Sequence, residues 1–432
     1  MTGRDPFVCF VGIAPTIGDA AIGQSILDGL RSRVGLPVRI HADKPRVFAA
    51  LPGVDALADV RPRIPSIQPP GRSPALPLRL RHLLRDLRET GGGRLLPAAT
   101  YDALRDALEG CAAVVFQGGP AWTDAMVTRR RVLQRWLFLE AARYYRAPVY
   151  HVGVGCGPFA WTYPERLWMP ALCRRALDRY ERLFVRDRSS KPALDRLGVR
   201  ARVCESTDAA VFLAPRRDAA FEPVERRILA GAPRPRVVVC VRDYQPTYPQ
   251  ARAARDAALA ALAATLDRVQ EGLADVFFLS TDYLPRPEKQ SDLEIARRVQ
   301  QTMTTPGSVL IETEVAHPAA LKHLYGRFDA MITMRLHPAV LALDHGVPAL
   351  LLSYDPKCDD FMARLGLDEY VVPLARFDAA AALDRLHRML GTPGLRAEIR
   401  ARYAALKAAH AADYDPMYAQ IRSRAEELHA CA

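Results

Sequence analysis

The chain has no closely spaced cysteine pairs, little lysine and no long uncharged apolar run. Its eight cysteines never stand in C-x-x-C spacing, so neither a zinc site nor a disulfide framework is indicated. Cys9, Cys204 and Cys240 fall inside apparent strands, where core packing accounts for them. No uncharged apolar stretch reaches 18 residues, so no membrane-spanning helix is expected. The first residues run straight into a strand without a signal-peptide core, which predicts a cytoplasmic protein, with contact to the inner face of the membrane left open. Lysine plus arginine is 60 against 48 acidic residues, a formal charge of +12, with arginine far ahead of lysine. The arginines are scattered along helical stretches without interleaved aromatics, so no nucleic-acid partner is expected. Anionic small molecules or an anionic membrane surface remain.

What the chain does have is alternation. Apolar runs that read as buried strands alternate with stretches of helical periodicity, twice over. The 432 residues exceed one ordinary core. The predicted fold is α/β, two Rossmann-like domains with parallel sheets and a cleft between them. The first covers 1–215, with a proline- and arginine-rich insertion at 61–97. A linker at 216–235 leads to a second domain at 236–393, followed by a C-terminal helical segment at 394–432. Within the insertion, residues 76–87 read as one basic amphipathic helix. A lid, a membrane-surface contact and a plain solvated loop are the readings open for it.

The chemistry concentrates at Thr333-Met334-Arg335-Leu336-His337-Pro338. A strand over 330–334 gives way to a helix opened by Pro338, and the residue before proline avoids helical backbone. This puts His337 in the N-cap slot and Arg335 at the strand end, beside N–H groups and a dipole that favour an anion. A second strand over 348–353 ends at Tyr354-Asp355-Pro356-Lys357, which adds a second cation. Parallel strands open on the same edge, the usual place for a ligand. Lys357 also reads as a surface lysine, and Tyr354 as packing.

Other strand ends carry candidates. Pro15-Thr16-Ile17-Gly18-Asp19 is a glycine-bearing turn with one carboxylate, either a substrate loop or a helix cap in which Asp19 serves the backbone. A strand from Ala112 closes on Gln117-Gly118-Gly119, and Gly153-Val154-Gly155-Cys156-Gly157 follows another. Such glycines let backbone N–H groups approach a ligand, although no dinucleotide fingerprint is present. Arg186 ends a strand before Asp187-Arg188-Ser189-Ser190, in which Ser189 or Ser190 can cap the next helix. It reads as a ligand to an anion or as the ion-pair partner of Asp187 or Asp208. His151 reads as an ordinary buried histidine.

These pieces, in this order, resemble the polysaccharide pyruvyl transferase family: Gly18-Asp19-Ala20, Gln117-Gly118-Gly119, Gly153 to Pro158, Arg186-Asp187-Arg188-Ser189-Ser190, and Arg335-Leu336-His337-Pro338-Ala339 continued to Tyr354-Asp355-Pro356-Lys357. Two features depart from the family pattern: a proline after His337, where a small residue is common, and the 61–97 insertion. The resemblance implies a GT-B-like pair of domains, phosphoenolpyruvate as donor, a sugar acceptor that is nucleotide- or lipid-linked, and no metal or other cofactor. It adds Leu336 to the substrate-binding set of Arg186, Arg335, Lys357, Gly18, Gly118, Gly119 and Gly155. His337 and Asp19 become the expected catalytic pair. Protonation of the donor's methylene needs an acid, and the imidazole of His337 is the nearby side chain with an ordinary pKa suited to it. The competing readings are a nucleotide-sugar glycosyltransferase on the same plan and a basic peripheral membrane protein without catalysis.

Overall fold

The computed structural model describes residues 5–12, 16–42, 48–49, 51, 54, 60–61, 98–124, 126–231, 233–243, 249–283, 290–354 and 356–431. Of the 61–97 insertion all but Arg61 lies outside them, including the expected helix at 76–87, as does Asp355.

The chain forms two compact units. The first is made of Met1–Ala14, Ile22–Ala209 and Ala412–Ala432, the second of Pro15–Ala21 and Ala210–Ala411. In chain order the first contributes β1 (Phe7–Gly12), most of α1 (Ile17–Arg33), β2 (Val38–Ala42), β3 (Val60–Arg61), α2 (Ala98–Leu108), β4 (Cys111–Thr123), α3 (Arg129–Tyr144), β5 (Val149–Gly157), α4 (Met169–Leu177), β6 (Arg182–Val185), α5 (Ser190–Leu197) and β7 (Arg202–Glu205). Its seven strands are parallel, in the order β3-β2-β1-β4-β5-β6-β7. β1 and β5 are buried almost throughout, which is why they read as unbroken apolar runs and not as alternating patterns.

The second unit runs through α6 (Glu222–Leu229), β8 (Arg236–Cys240), α7 (Pro249–Gly272), β9 (Asp275–Leu279), α8 (Asp292–Thr302), β10 (Val309–Ile311), α9 (Pro318–Tyr325), β11 (Ala330–Thr333), α10 (Leu336–Leu343), β12 (Ala349–Ser353), α11 (Pro356–Arg364), β13 (Val371–Pro373), α12 (Ala379–Gly391) and α13 (Leu395–Ala409). Its parallel sheet has the order β10-β9-β8-β11-β12-β13. Strand order reverses at β8, so β8 and β11 meet at the topological switch point where a ligand is expected. α14 (Asp415–Ala430) returns to the first unit. There Gln420 accepts a hydrogen bond from the Tyr150 hydroxyl at 3.3 Å.

Several local expectations change. The stretch expected as a linker contains α6, and the two units meet in sequence between Ala209 and Ala210. The C-terminal helical segment consists of two helices, and they belong to different units. α4 is preceded by a short 3-10 turn at Glu165–Leu167. β4 does not close on Gly118-Gly119 but runs on to Thr123. No helix of the described residues is long and apolar enough to cross a membrane.

Candidate active site

The carboxyl ends of β9, β8, β11 and β12 lie side by side in the second sheet, and each delivers polar residues. At the end of β11 the Thr333 hydroxyl accepts from the Arg335 N–H and donates to the Arg335 carbonyl, both at 2.9 Å. This turn holds Arg335 extended as the N-cap of α10, with φ −119° and ψ 138°. Leu336 is therefore the first helical residue and His337 the second. His337 does not occupy the N-cap slot expected from Pro338. The pre-proline preference for extended backbone yields to a turn that Thr333 completes two residues earlier.

The side chain of Arg335 is only 11% exposed, and its charge is matched inside the protein. Its Nη2 donates to Asp292 Oδ1 at 2.6 Å, its Nε meets the other Asp292 oxygen, and Asp282 lies 3.7 Å away. These two carboxylates balance the buried charge, so its burial alone does not call for a ligand. Asp292 is free to serve because the cap of α8 is complete without it: Ser291 and Glu294 form a reciprocal capping box. Thr281 donates to Asp292 at 3.1 Å as well. Burial works against both charges. The Arg335 guanidinium is nevertheless held above its ordinary value by Asp292. On Asp292 the loss of solvent outweighs the Arg335 charge and pushes the carboxyl up.

The start of α1 belongs to this unit. Ile17 N–H bonds to the Thr281 carbonyl at 3.2 Å, which ties the turn to the end of β9. Gly18 then lies on the imidazole of His337. A β-carbon on Gly18 would stand 2.5 Å from Nδ1 and 2.7 Å from both Cβ and Cγ of the histidine. Only glycine permits that approach. Asp19 accepts from the Thr16 hydroxyl at 2.7 Å while its own N–H reaches the same oxygen at 3.4 Å, the reciprocal geometry of a helix start. Lys357 is half-buried in the first turn of α11. Tyr354, expected as packing, binds Arg242 from the end of β8 through its hydroxyl and lies under that guanidinium, 4.9 Å from ring centroid to charge. Arg242, Asp282 and Asp292 were not among the predicted residues. The available signal was only their place at strand ends or at a helix start.

The remaining predicted residues lie in the first unit. Arg186, at the end of β6, is buried and pairs with Asp208 at 2.7 Å, the ion-pair alternative read from the sequence. Asp187 instead accepts from Ser189 at 3.0 Å and from Ser190, whose hydroxyl also takes the Cys156 N–H at 2.7 Å. Neither serine side chain caps α5. Gly118 faces the neighbouring strand and no open space: an added β-carbon would stand 2.0 Å from the Gly153 carbonyl oxygen. The register of β4 on β5 shifts between Gly119 and Trp122, and Gly155 lies inside β5, where a β-carbon would come 3.1 Å from Asp187. Close strand packing therefore explains Gly118. His151 is buried in β5; burial, and next the charge of Arg135, push its imidazole down to about 3, so it stays neutral. A cavity of about 710 Å³ between α3 and α14 is lined by Val149 and Tyr150 at the start of β5 and holds none of the predicted residues.

Solved structures share this architecture across nearly the whole chain. The UDP-GlcNAc 2-epimerase of Neisseria meningitidis, bound to UDP-GlcNAc, is 13% identical, with a TM-score of 0.51 over 94% of this chain and 99% of that one. A ugt transferase from Siraitia grosvenorii in complex with UDP is 12% identical, with a TM-score of 0.53 over 96% and 99%. Sucrose-phosphate synthase from Thermosynechococcus elongatus is 14% identical, with a TM-score of 0.54 over 97% and 100%. At such identities the likeness speaks to fold alone, a GT-B-like pair of parallel-sheet units. The sequence pattern of one family, polysaccharide pyruvyl transferase, matches residues 17–356, from the turn at Gly18 to the first residue of α11. That match spans well over half of the protein, and the chain belongs to the polysaccharide pyruvyl transferase family.

Proposed function

We propose that the protein moves the pyruvyl group of phosphoenolpyruvate onto two hydroxyls of a nucleotide- or lipid-linked sugar, forming a cyclic ketal and releasing phosphate. The observation that carries this reading is the placement of His337. It stands in the first turn of α10 at the switch point of the second sheet, packed against Gly18 and one residue beyond the fixed Arg335-Leu336 pair.

In this reading His337 gives a proton to the methylene carbon, and the adjacent carbon becomes oxocarbenium-like. The first sugar hydroxyl bonds there. The carbon–oxygen bond to phosphate then breaks, with its electron pair leaving on phosphate, and the second hydroxyl closes the ring. Two hydroxyl protons are released: one restores His337 and the other leaves on phosphate. Asp292 uses the Nε and Nη2 edge of Arg335, so the Nη1 corner is the part of the fork offered to a donor anion. Lys357 and the first N–H groups of α10 supply further positive potential. Asp19, half-buried beside Gly18, orients an acceptor hydroxyl.

Two of the fold neighbours hold UDP or UDP-GlcNAc, so a nucleotide-sugar donor is the competing reading. Incubation with phosphoenolpyruvate and a panel of UDP- and lipid-linked sugars separates the two. The expected result is phosphate release without free UDP, and a new methyl proton signal on the sugar. A vinyl signal would make the product an enolpyruvyl ether, and UDP release without phosphate would sink the proposal.

A further inference from the structure

Four large apolar side chains are exposed among the described residues, and two of them stand four positions apart: Tyr163 at 70% and Leu167 at 69%. Tyr163 precedes and Leu167 ends the 3-10 turn at Glu165–Leu167, in the loop from β5 to α4, where residues 162–167 are all exposed. This loop is fastened at both ends. The carboxylate of Asp124 accepts the Phe159 N–H at 2.6 Å and the Ala160 N–H at 3.0 Å. Phe159 and Trp161 stack with centroids 5.3 Å apart and pack on the core of the first unit. Trp168 closes the far end under the guanidinium of Arg129, 5.6 Å from its ring centroid. A tip held this way presents Tyr163 and Leu167 to water as a fixed pair.

The neighbouring charges make the same point independently. α3 opens with Arg129-Arg130-Arg131 and has no acidic residue in its first turn. All three arginines are exposed. Cations there oppose the helix dipole, each at a cost of about 0.3–1 kcal/mol, so local helix stability does not explain them. Arg166 lies 6.0 Å from the Tyr163 ring centroid and adds a fourth cation at the tip. An apolar pair with Arg166 beside it and Arg129 at the loop's end, cations that outnumber the tip's one exposed acid, Glu165, matches the boundary between headgroups and acyl chains of an anionic bilayer.

We propose that this loop and the first turn of α3 form a docking face for an anionic lipid bilayer. Tyr163 and Leu167 enter the interface, and Arg129, Arg130 and Arg166 meet headgroup phosphates. The face includes no residue of 61–97, so the proposal does not depend on that stretch.

The test is flotation of the full chain with vesicles of pure phosphatidylcholine and of phosphatidylcholine with 30% phosphatidylglycerol. Binding is expected only to the anionic vesicles, and it should weaken as salt rises. The double variant Tyr163→Ser, Leu167→Ser should lower partitioning about tenfold, and Arg129→Gln with Arg130→Gln should remove most of the salt-dependent part. All four side chains are exposed, and unchanged melting would show that the variants fold. Absence of wild-type binding at low salt overturns the proposal. So does binding that both variants retain, which would place the contact elsewhere on the chain. If binding to dextran sulfate depends on the arginines while vesicle binding is absent, the partner is a soluble polyanion and the bilayer assignment fails.

Discussion

Gly18 and His337, 319 positions apart in sequence, touch so closely that a β-carbon on the glycine would stand 2.5 Å from the imidazole Nδ1. Rotating the ring away does not relieve this, because the histidine's own β-carbon would be only 2.7 Å from the added atom. Gly18→Ala should therefore displace either the start of α1 or the first turn of α10. Turnover should fall by about 10²-fold, the scale on which small misplacements act, with a modest drop in melting temperature. Steady-state kinetics beside a thermal melt would check it; wild-type turnover would mean the contact has no part in positioning the histidine.

His337→Gln separates binding from catalysis. Glutamine keeps a hydrogen-bond donor but has no titratable acid. Phosphoenolpyruvate affinity should stay within a few-fold of wild type by calorimetry, while turnover falls by about 10²–10⁴. With His151 buried and neutral in β5, near-normal turnover would send the search for the acid outside the histidines named here.

Arg335→Ala should damage folding as well as binding. It leaves the fully buried Asp292 carboxylate without its guanidinium, a loss of about 3–5 kcal/mol by urea titration. Pairing the change with Asp292→Leu, as Arg335→Met with Asp292→Leu, should restore much of that stability, since both charges go together. Phosphoenolpyruvate binding should stay lost in the double variant. If binding returned with stability, Arg335 would be a structural residue only.

Asp267 gives a pH-dependent check on the second unit. Its carboxylate accepts the N–H of Thr304 at 2.9 Å and of Thr305 at 2.7 Å, and the Thr304 hydroxyl at 3.0 Å. Burial works to raise this carboxyl, but the bonds from Thr305 and Thr304 outweigh it and hold it below the ordinary value. A depressed folded-state pKa contributes stability above the unfolded value, and the contribution is lost as pH falls through the folded one. Asp267→Ala should cost about 1.5–3 kcal/mol at neutral pH, the scale of hydrogen bonds to a charged group. The gap between wild type and variant should close as pH drops below about 4. A gap that persisted at low pH would mean the loss comes from packing.

Much of this protein was legible along the chain. Buried parallel strands leave unbroken apolar runs, so β1, β8, β11 and β12 stand where the runs do, and α7 to α10 follow from helical spacing and proline placement. The Arg335-Leu336-His337 strand end was legible for the same reason: each of these features is encoded within a few residues. Tertiary structure alone decided the partners. That Asp292 neutralises Arg335, that Asp208 holds Arg186 and that Gly153 fills the space before Gly118 depends on which segments fold together. A carboxylate at a helix start and a glycine at a strand end look the same in sequence whether they meet a ligand or a distant part of their own chain. Local periodicity records how deeply a residue is buried, and only the packed fold settles what it is buried against.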